Sequence, residues 1–348
     1  MLDISLYVIS DVLSFIFAVS ANLTLLYLIA YKTPLQMRGY STVLRVHAFN
    51  DLYYCILNFS TTVETFSYAG NLYLVLSGFI RHVSAEYGWI LFCAYYQGIM
   101  LELCLTPIDF YYRYQTVCKN RTLPAHRVYL MFAGIFFLTF LHAFPVYLSF
   151  GKFGPSFDGI EEAEATLNLQ ELIGTTENTP SFTFSSTNQF MFYVNLGILF
   201  SGFAVVYCMV IWAFAKIHKT VKRHARSNKS SRVARMEQQI NKVILLQFII
   251  PFLGNGAPVM LTTTTSMLRI DFAELGKISR VLCAWIAVLK PVVTISLIPT
   301  YRRRVLGLAR INVLSSTMSS ADQEATKPNG LSRVNTISSQ AVLKPSDT

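Results

Sequence analysis

The sequence predicts an all-α membrane protein, built as a bundle of seven transmembrane helices. Two observations lead to this fold class. The first is composition: of 348 residues, 53% are hydrophobic and 14% are charged, whereas soluble domains carry about 25% charged residues. The second is a strong asymmetry in the basic residues that separate the apolar runs. Together they exclude a disordered chain, a disulfide-stapled secreted domain and an ordinary soluble enzyme.

Seven apolar runs have the length of roughly 20 residues that a helix needs to cross a bilayer. The first contains Asp11, and the second is weakened by Arg45, His47 and Asp51. Prolines lie inside the last two runs, and membrane helices tolerate them because neighbouring groups satisfy the freed carbonyls. The predicted spans are 4–31, 43–64, 88–112, 128–150, 188–215, 243–268 and 278–300.

Three further segments are predicted not to cross the membrane. Segment 68–80 is apolar but too short, and we interpret it as an extracellular loop that packs on the bundle or lies in the interface. Residues 301–314 combine Arg with Val and Leu at helical spacing, which predicts an amphipathic juxtamembrane helix, with a basic stop-transfer flank as the alternative. Residues 315–348 are polar and rich in Ser and Thr, which predicts a disordered cytoplasmic tail.

The basic residues orient the chain. Most of them follow the first, third, fifth and seventh spans, whereas the opposite loops hold only Arg81, Lys152, Arg269 and Lys277. Because cytoplasmic loops are enriched in Lys and Arg, the N-terminus is predicted outside and the C-terminus inside, in a multi-pass plasma-membrane protein. The basic face then suits anionic membrane lipid, and we expect no nucleic acid partner.

A polar layer is predicted inside the bundle. Asn22, Asp51 and Lys290 lie in three different spans, each roughly 12–16 Å from its cytoplasmic end. An isolated charge at that depth is costly, so we expect an Asp51–Lys290 pair that Asn22 orients. The alternative is that each side chain reaches water separately. Glu102, also inside an apolar run, is expected to pair with a polar neighbour and not to be a catalyst.

Several motifs together resemble a rhodopsin-type G-protein-coupled receptor of the nematode chemoreceptor group, the str superfamily, and most of all serpentine receptor class delta. The resemblance covers about residues 4–310. The motifs are Ala21-Asn22-Leu23, Asp51, Tyr112-Arg113-Tyr114, Pro251 and Pro258, Lys290-Pro291, Pro299-Thr300-Tyr301-Arg302, and the stretch from Ser230-Ser231-Arg232 through Met236-Glu237-Gln238-Gln239 to Gln247.

The resemblance implies rhodopsin-like architecture and an olfactory type of function. The chain would bind an odorant or pheromone-like small molecule from the extracellular side and signal to a heterotrimeric G protein, with a sensory cilium as one location. Arg113, Tyr114, Arg223 and Arg235 are the predicted G-protein contacts, although Arg113 on position alone could equally anchor its helix in the interface. Asn22, Asp51, Lys290, Pro291, Pro251 and Pro258 form the predicted switch and polar core.

The sequence departs from that family pattern at two motifs. Tyr112 precedes Arg113 where most such receptors have an acid, and Asp109 lies one turn earlier. Lys290 precedes Pro291 where Asn or Asp is usual. Related receptors tend to hold sodium near the second-helix Asp, and we hypothesise that the Lys290 ammonium substitutes for that cation. The usual outer disulfide is also missing, since loop 151–187 contains no Cys.

Candidate ligand residues lie in the outer halves of the spans. Aromatic groups with sparse polar neighbours suit a small, mostly apolar ligand, and ordinary helix packing is the alternative. The predicted set is Glu64, Tyr95, Tyr96, Gln97, Asn195, Thr262 and Trp285. We expect no cofactor and no metal.

Other functions fit less well. A small-solute membrane transporter is the main alternative, although self-similar halves of the kind found in transporters are missing from the sequence. A retinal protein is disfavoured because Lys290 directly precedes Pro291, about 9 Å from the expected Schiff-base depth. The common catalytic motifs are also absent, so an enzyme is not predicted.

Overall fold

The computed structural model describes most of the chain, in seven stretches. These are residues 4–33, 38–83, 85–150, 159–173, 182–226, 242–271 and 274–307. The helices are α1 Ile4–Lys32, α2 Arg38–Thr61, α3 Ala85–Cys104, α4 Thr106–Arg113, α5 Ala125–Leu141, α6 Ala143–Ser149, α7 Gly159–Ile173, α8 Phe190–Arg226, α9 242–251, α10 Ala257–Met267 and α11 Glu274–Leu297. The strands are β1 Val63–Tyr68, β2 Asn71–Leu76 and β3 Phe182–Ser186.

The described helices form the predicted all-α bundle. Within the part of the chain that the structure describes, six helical segments are long and apolar enough to cross a membrane: Tyr7–Lys32, Tyr87–Cys118, Ala125–Ser149, Phe190–Arg223, Lys242–Met267 and Gly276–Leu297. The seventh helix of the bundle is α2, whose mean hydropathy is low because it carries polar side chains. His47, Asn50 and Asp51 are all buried, so these polar groups face other helices and not lipid.

Three of the spans are interrupted within the membrane. The third changes from α3 to α4 at Leu105, just before Pro107, and the fourth changes from α5 to α6 at His142, just before Pro145. The sixth contains a π-helical turn, Phe252–Gly256, between α9 and α10. Proline removes a backbone donor, and π turns insert an extra residue, so these are the places where the helices bend.

The second predicted span ends earlier than expected, which corrects the position of Glu64. Helix α2 stops at Thr61, Thr62 has a positive φ of 43°, and Val63 begins β1. A β-branched residue with positive φ cannot continue a right-handed helix. Glu64 therefore lies in a strand at the outer end of the bundle.

An antiparallel sheet joins two outer loops. Strands β1 and β2 form a hairpin that turns at Ala69 and Gly70, both with positive φ, as such tight turns require. Strand β3, from the loop after the fourth span, pairs with β2. Segment 68–80, predicted as a packed loop, is thus largely a strand. Burial raises the pKa of the Tyr73 phenol, whose hydroxyl donates to the Ala165 carbonyl of α7.

Two compact units divide the chain. The first, Met1–Arg302, contains the bundle and the sheet. Of the second, Arg303–Thr348, the structure describes residues 303–307, which are helical. The remainder of the predicted amphipathic helix, 308–314, and the predicted tail, 315–348, lie outside the described residues.

Candidate functional site

A buried charge cluster joins three helices at mid-membrane depth. The Lys290 ammonium of α11 lies 2.6 Å from Asp51 Oδ1 of α2 and also donates to Glu102 Oε1 of α3. Asn50 Nδ2 donates to the other Glu102 oxygen at 2.5 Å. All of these side chains are buried. Burying charges is tolerable only where each has partners of this kind.

Asn22 makes different contacts from those that the sequence analysis predicted. The predicted contact between Asp51 and Lys290 is present, but Asn22 does not orient it. Asn22 Nδ2 donates instead to the Ala18 carbonyl at 3.0 Å and to the Ala287 carbonyl at 3.1 Å. Ala287 lies four residues before Pro291, which has no N–H to give it. Asn22 therefore satisfies the carbonyl that the proline in α11 frees.

Glu102 is the cluster member that the predicted site set omits. It lies eleven residues before Arg113, about 16 Å along the helix, which is the depth of Lys290. That match in depth was the signal available in the sequence. With Glu102, the cluster holds two carboxyl groups and one ammonium. It is therefore a three-member cluster and not the single Asp51–Lys290 pair that the sequence predicted.

A second polar layer lies closer to the end of the bundle that is predicted to face the cytoplasm. His47 Nε2 of α2 is 3.0 Å from Asp109 Oδ2 of α4, and both side chains are buried. On the other side of the bundle, Gln247 of α9 donates to Thr294 Oγ1 of α11 at 3.1 Å and accepts from Tyr40. These contacts join the inner halves of α2, α4, α9 and α11.

An inner crevice of about 410 Å³ opens between α4, α8 and α9. We use this name for the cavity lined by Phe110, Arg113, Phe214, Ile217, His218, Val221, Lys222, Lys242, Ile244 and Leu245. Of the predicted contact residues that the structure describes, Arg113 lines it, and Tyr114 and Arg223 do not. Lys222 and Lys242 belong to the basic segment recognised in the sequence. Lys222 reaches the crevice because α8 continues to Arg226, well beyond the predicted end at 215, and Lys242 reaches it from the start of α9.

Of the other three predicted contact residues, the structure describes two, Tyr114 and Arg223. Tyr114 is in a π-helical turn, and its ring centroid is 5.1 Å from that of Trp212. Arg223 is exposed on α8. Arg235 lies outside the described residues.

Two prolines of the predicted switch, Pro251 and Pro258, and the π turn between them form the segment that we call the hinge, and helices pack closely around it. Pro251 and Pro258 flank the π turn, in which Asn255 accepts from Tyr54 of α2 at 3.1 Å. A Cβ atom added at Gly254 would collide with the Ile286 side chain of α11. The hinge is therefore in direct contact with the helix that carries Lys290.

None of the seven predicted ligand residues lines the inner crevice, and the structure places them in separate contacts. Three of them meet on one side of the bundle. Gln97 accepts from Tyr53 at 2.8 Å and donates to Thr139 at 3.2 Å. Asn195 Oδ1 lies 3.0 Å from His142 Nε2, and the Tyr96 ring lies 5.8 Å from the His142 ring.

The remaining four ligand candidates make separate contacts. The Tyr95 ring stacks on that of Tyr54. Thr262 donates to the Pro258 carbonyl within its own helix, and Trp285 Nε1 donates to Ser10 of α1. Glu64 Oε2 lies 3.7 Å from Arg280, whose main partner is Asp11 at 2.6 Å; this outer ion cluster was not predicted.

A larger cavity opens on the side of the bundle. We call it the lateral groove: about 580 Å³ between the α3–α4, α5–α6 and α8 segments. Its lining is almost wholly apolar, with Thr139 and His142 among the few polar side chains. None of the seven predicted ligand residues lines the groove. Two of them contact its polar side chains, however: Gln97 is hydrogen-bonded to Thr139, and Asn195 to His142. Sequence reasoning did not find the groove because its lining side chains resemble ordinary lipid-facing residues.

The comparisons with known proteins agree with this architecture. Squid rhodopsin, known from a crystal structure, superposes with a TM-score of 0.63 at 12% sequence identity, covering 95% of this chain and 94% of that one. At this identity the likeness establishes the fold alone, which is a seven-helix, rhodopsin-like bundle. The predicted fold class is confirmed.

The family follows from the sequence comparisons. The model of the family described as the serpentine type 7TM GPCR chemoreceptor Srd matches residues 7–307, so the chain belongs to that family. Serpentine receptor class delta-33 of Caenorhabditis elegans is 24% identical over 310 residues, covering 87% of this chain and 86% of that protein. The resemblance to the delta class seen in the sequence is confirmed.

Proposed function

We propose that the protein is a chemosensory receptor of the plasma membrane that binds a small odorant or pheromone-like molecule and activates a heterotrimeric G protein. The N-terminus is outside and the C-terminus is in the cytoplasm, where anionic lipid meets the basic face. The observation that carries the proposal is the inner crevice, with Arg113 in its wall and Lys222 and Lys242 beside it. A basic crevice suits an acidic segment of a protein partner.

The charge cluster and the hinge supply a mechanism for the switch. An agonist changes the conformation only if it binds one state more tightly than the other. The π turn lets α9 move relative to α10, and this movement would widen the inner crevice. Because Gly254 packs on α11, movement of α9 is coupled to the helix that holds Lys290.

The experiment is a ligand screen read as a G-protein-dependent second messenger in cells that express the full chain. A responding ligand should lose its effect in Arg113→Ala, which removes a crevice side chain. The matched control is Arg121→Ala, an exposed arginine of the inner loop that does not line the crevice. An equal response from both variants would contradict the proposed coupling site. Saturable uptake of the ligand without any G protein would favour the transporter alternative.

A further inference from the structure

We propose that the lateral groove binds an uncharged lipid with a rigid apolar body and a single hydroxyl, of the sterol class, which enters from the bilayer. The groove volume of about 580 Å³ lies within the range of about 300–1,000 Å³ that is typical of small-molecule sites. This inference goes beyond the proposed function, because binding in the groove requires no G protein.

The position of the groove determines where its occupant comes from. Its opening is bordered by Leu138, Leu141, Val205 and Met209, which are lining residues with exposed side chains. These residues lie within the segments Ala125–Ser149 and Phe190–Arg223, which can cross the membrane. The surface around the opening is therefore covered by lipid, and an occupant reaches it from the hydrocarbon.

Backbone chemistry gives the groove two acceptors for a hydroxyl. Pro107 and Pro145 have no N–H, so the carbonyls four residues earlier, those of Leu103 and Leu141, lose their ordinary helical donors. All four residues line the groove. A carbonyl that lacks a donor in hydrocarbon is costly, because no water is present to satisfy it. A ligand hydroxyl in this groove can donate to such a carbonyl.

Two polar side chains of the same lining, Thr139 and His142, are held in place by hydrogen bonds. Gln97 donates to the Thr139 hydroxyl, and Asn195 Oδ1 lies 3.0 Å from His142 Nε2. His142 is about 10 Å below the outer end of α6, measured along the helix. A phospholipid headgroup at that depth would leave water at great cost, whereas one hydroxyl can be satisfied there. We call Thr139, His142 and the carbonyls of Leu103 and Leu141 the polar spot of the groove. This polar spot favours a lipid with a small uncharged head.

Glycines of α8 provide a matched pair of variants. A Cβ added at Gly202 or at Gly197 would meet nothing within 4 Å, so both positions have open space where a side chain begins. Gly202 lines the lateral groove, and Gly197 does not. Gly202→Phe should fill the groove, while Gly197→Phe places the same ring on the same helix outside it.

The test uses the full-length receptor in lipid nanodiscs with a photoactivatable cholesterol probe. Labelled peptides are mapped by mass spectrometry. We expect saturable labelling of α5 and α8 that unlabelled cholesterol competes away. Labelling should fall about tenfold or more, equivalent to about 1.4 kcal/mol of binding, in Gly202→Phe and remain in Gly197→Phe. Thermal unfolding of both variants establishes that the bundle is intact.

The hydroxyl requirement has its own comparison. Cholestane, which has the saturated sterol rings without the hydroxyl, should compete more weakly in the wild type than cholestanol, which has the same saturated rings with the hydroxyl. In His142→Phe, which removes one polar group of the spot, the two competitors should become more alike. A photoactivatable phosphatidylcholine should give no saturable labelling of the groove.

Each alternative result overturns the proposal. Labelling that survives Gly202→Phe, or that both glycine variants lose equally, would place the lipid on the general surface of α8. Equal labelling by phosphatidylcholine would indicate ordinary surrounding lipid. Equal competition by cholestane would show that the groove does not recognise the hydroxyl. None of these readouts involves signalling, so their failure is distinct from failure of the proposed receptor function.

Discussion

Lys290 carries its ammonium in the interior of the bundle, between Asp51 and Glu102. The pairing with Asp51 could be predicted from depth alone, since an unpaired charge there is costly. The role of Asn22 could not, because it depends on which carbonyl Pro291 frees and on the contact between α1 and α11. A hydrogen bond to a backbone carbonyl cannot be recognised from residue types, because every residue has a carbonyl. A charge pair can be recognised, because it needs two charged side chains at matching depth.

Removing the ammonium should destabilise the receptor strongly. In Lys290→Met, two carboxylates remain buried without their cation, and breaking a buried pair in this way costs about 3–5 kcal/mol. Thermal unfolding of purified protein should show the loss, with basal signalling shifted as well. The triple variant Lys290→Met, Asp51→Asn, Glu102→Gln carries no charge in the cluster and should recover much of the stability. Wild-type stability and signalling in Lys290→Met alone would reject the pair.

The contact of Asn22 with the freed carbonyl can be measured by a double-mutant cycle. Asn22→Ala should cost about 1–3 kcal/mol, because it leaves the Ala287 carbonyl without a donor. Pro291→Ala restores a backbone N–H to that carbonyl. In its presence the further cost of Asn22→Ala should shrink, which gives a non-zero coupling energy. Strictly additive losses of stability would show that the asparagine acts elsewhere.

The helices could be predicted far better than the outer sheet. The span from Gly88 to Tyr112 was recognised by its apolar length, but its break before Pro107 depends on packing. The strands escaped prediction because Val63–Tyr68 directly continues the apolar run of α2, and only Thr62 separates them. Strand β3 pairs with β2 across more than a hundred residues. Such distant pairing cannot be read from local periodicity.

The close packing of the hinge on α11 gives a prediction about two glycines. In Gly254→Ala the new methyl group meets the Ile286 side chain, and overpacking of this kind costs about 1–3 kcal/mol. The control is Gly197→Ala, where the methyl group meets open space and helix propensity should improve stability by up to about 1 kcal/mol. Thermal unfolding compares the two variants.

A smaller partner should relieve that collision. In an Ile286→Ala background the further cost of Gly254→Ala should shrink, because alanine lacks both Ile286 atoms, Cγ1 and Cδ1, that the new methyl group meets. If Gly254→Ala proved as stable as Gly197→Ala, the hinge would not pack on α11 as described.

The complete bundle makes a prediction about sidedness. An odd number of spans with basic loops inside puts the two chain ends in different compartments. An epitope tag at the N-terminus should be detected on intact cells, and one at the C-terminus only after permeabilisation. The topology depends on α2 being a span. If only the six most apolar segments crossed the membrane, both chain ends would lie on the same side. Detection of both tags on intact cells would contradict the topology.

The basic rim of the inner crevice should act mainly on the rate of G-protein association. Lys222 is exposed on α8 and Lys242 on α9, and both line the crevice. Reversing both charges, Lys222→Glu with Lys242→Glu, should slow association with an acidic partner surface by about tenfold, since opposite charges steer encounter. The effect should weaken at high salt, where screening shortens the range of the charges.

The control is Lys119→Glu, an exposed inner-loop lysine that does not line the crevice. Nucleotide exchange on a purified G protein, measured against ionic strength, separates the two cases: equal slowing by Lys119→Glu would assign the effect to the charge of the whole face and not to the crevice.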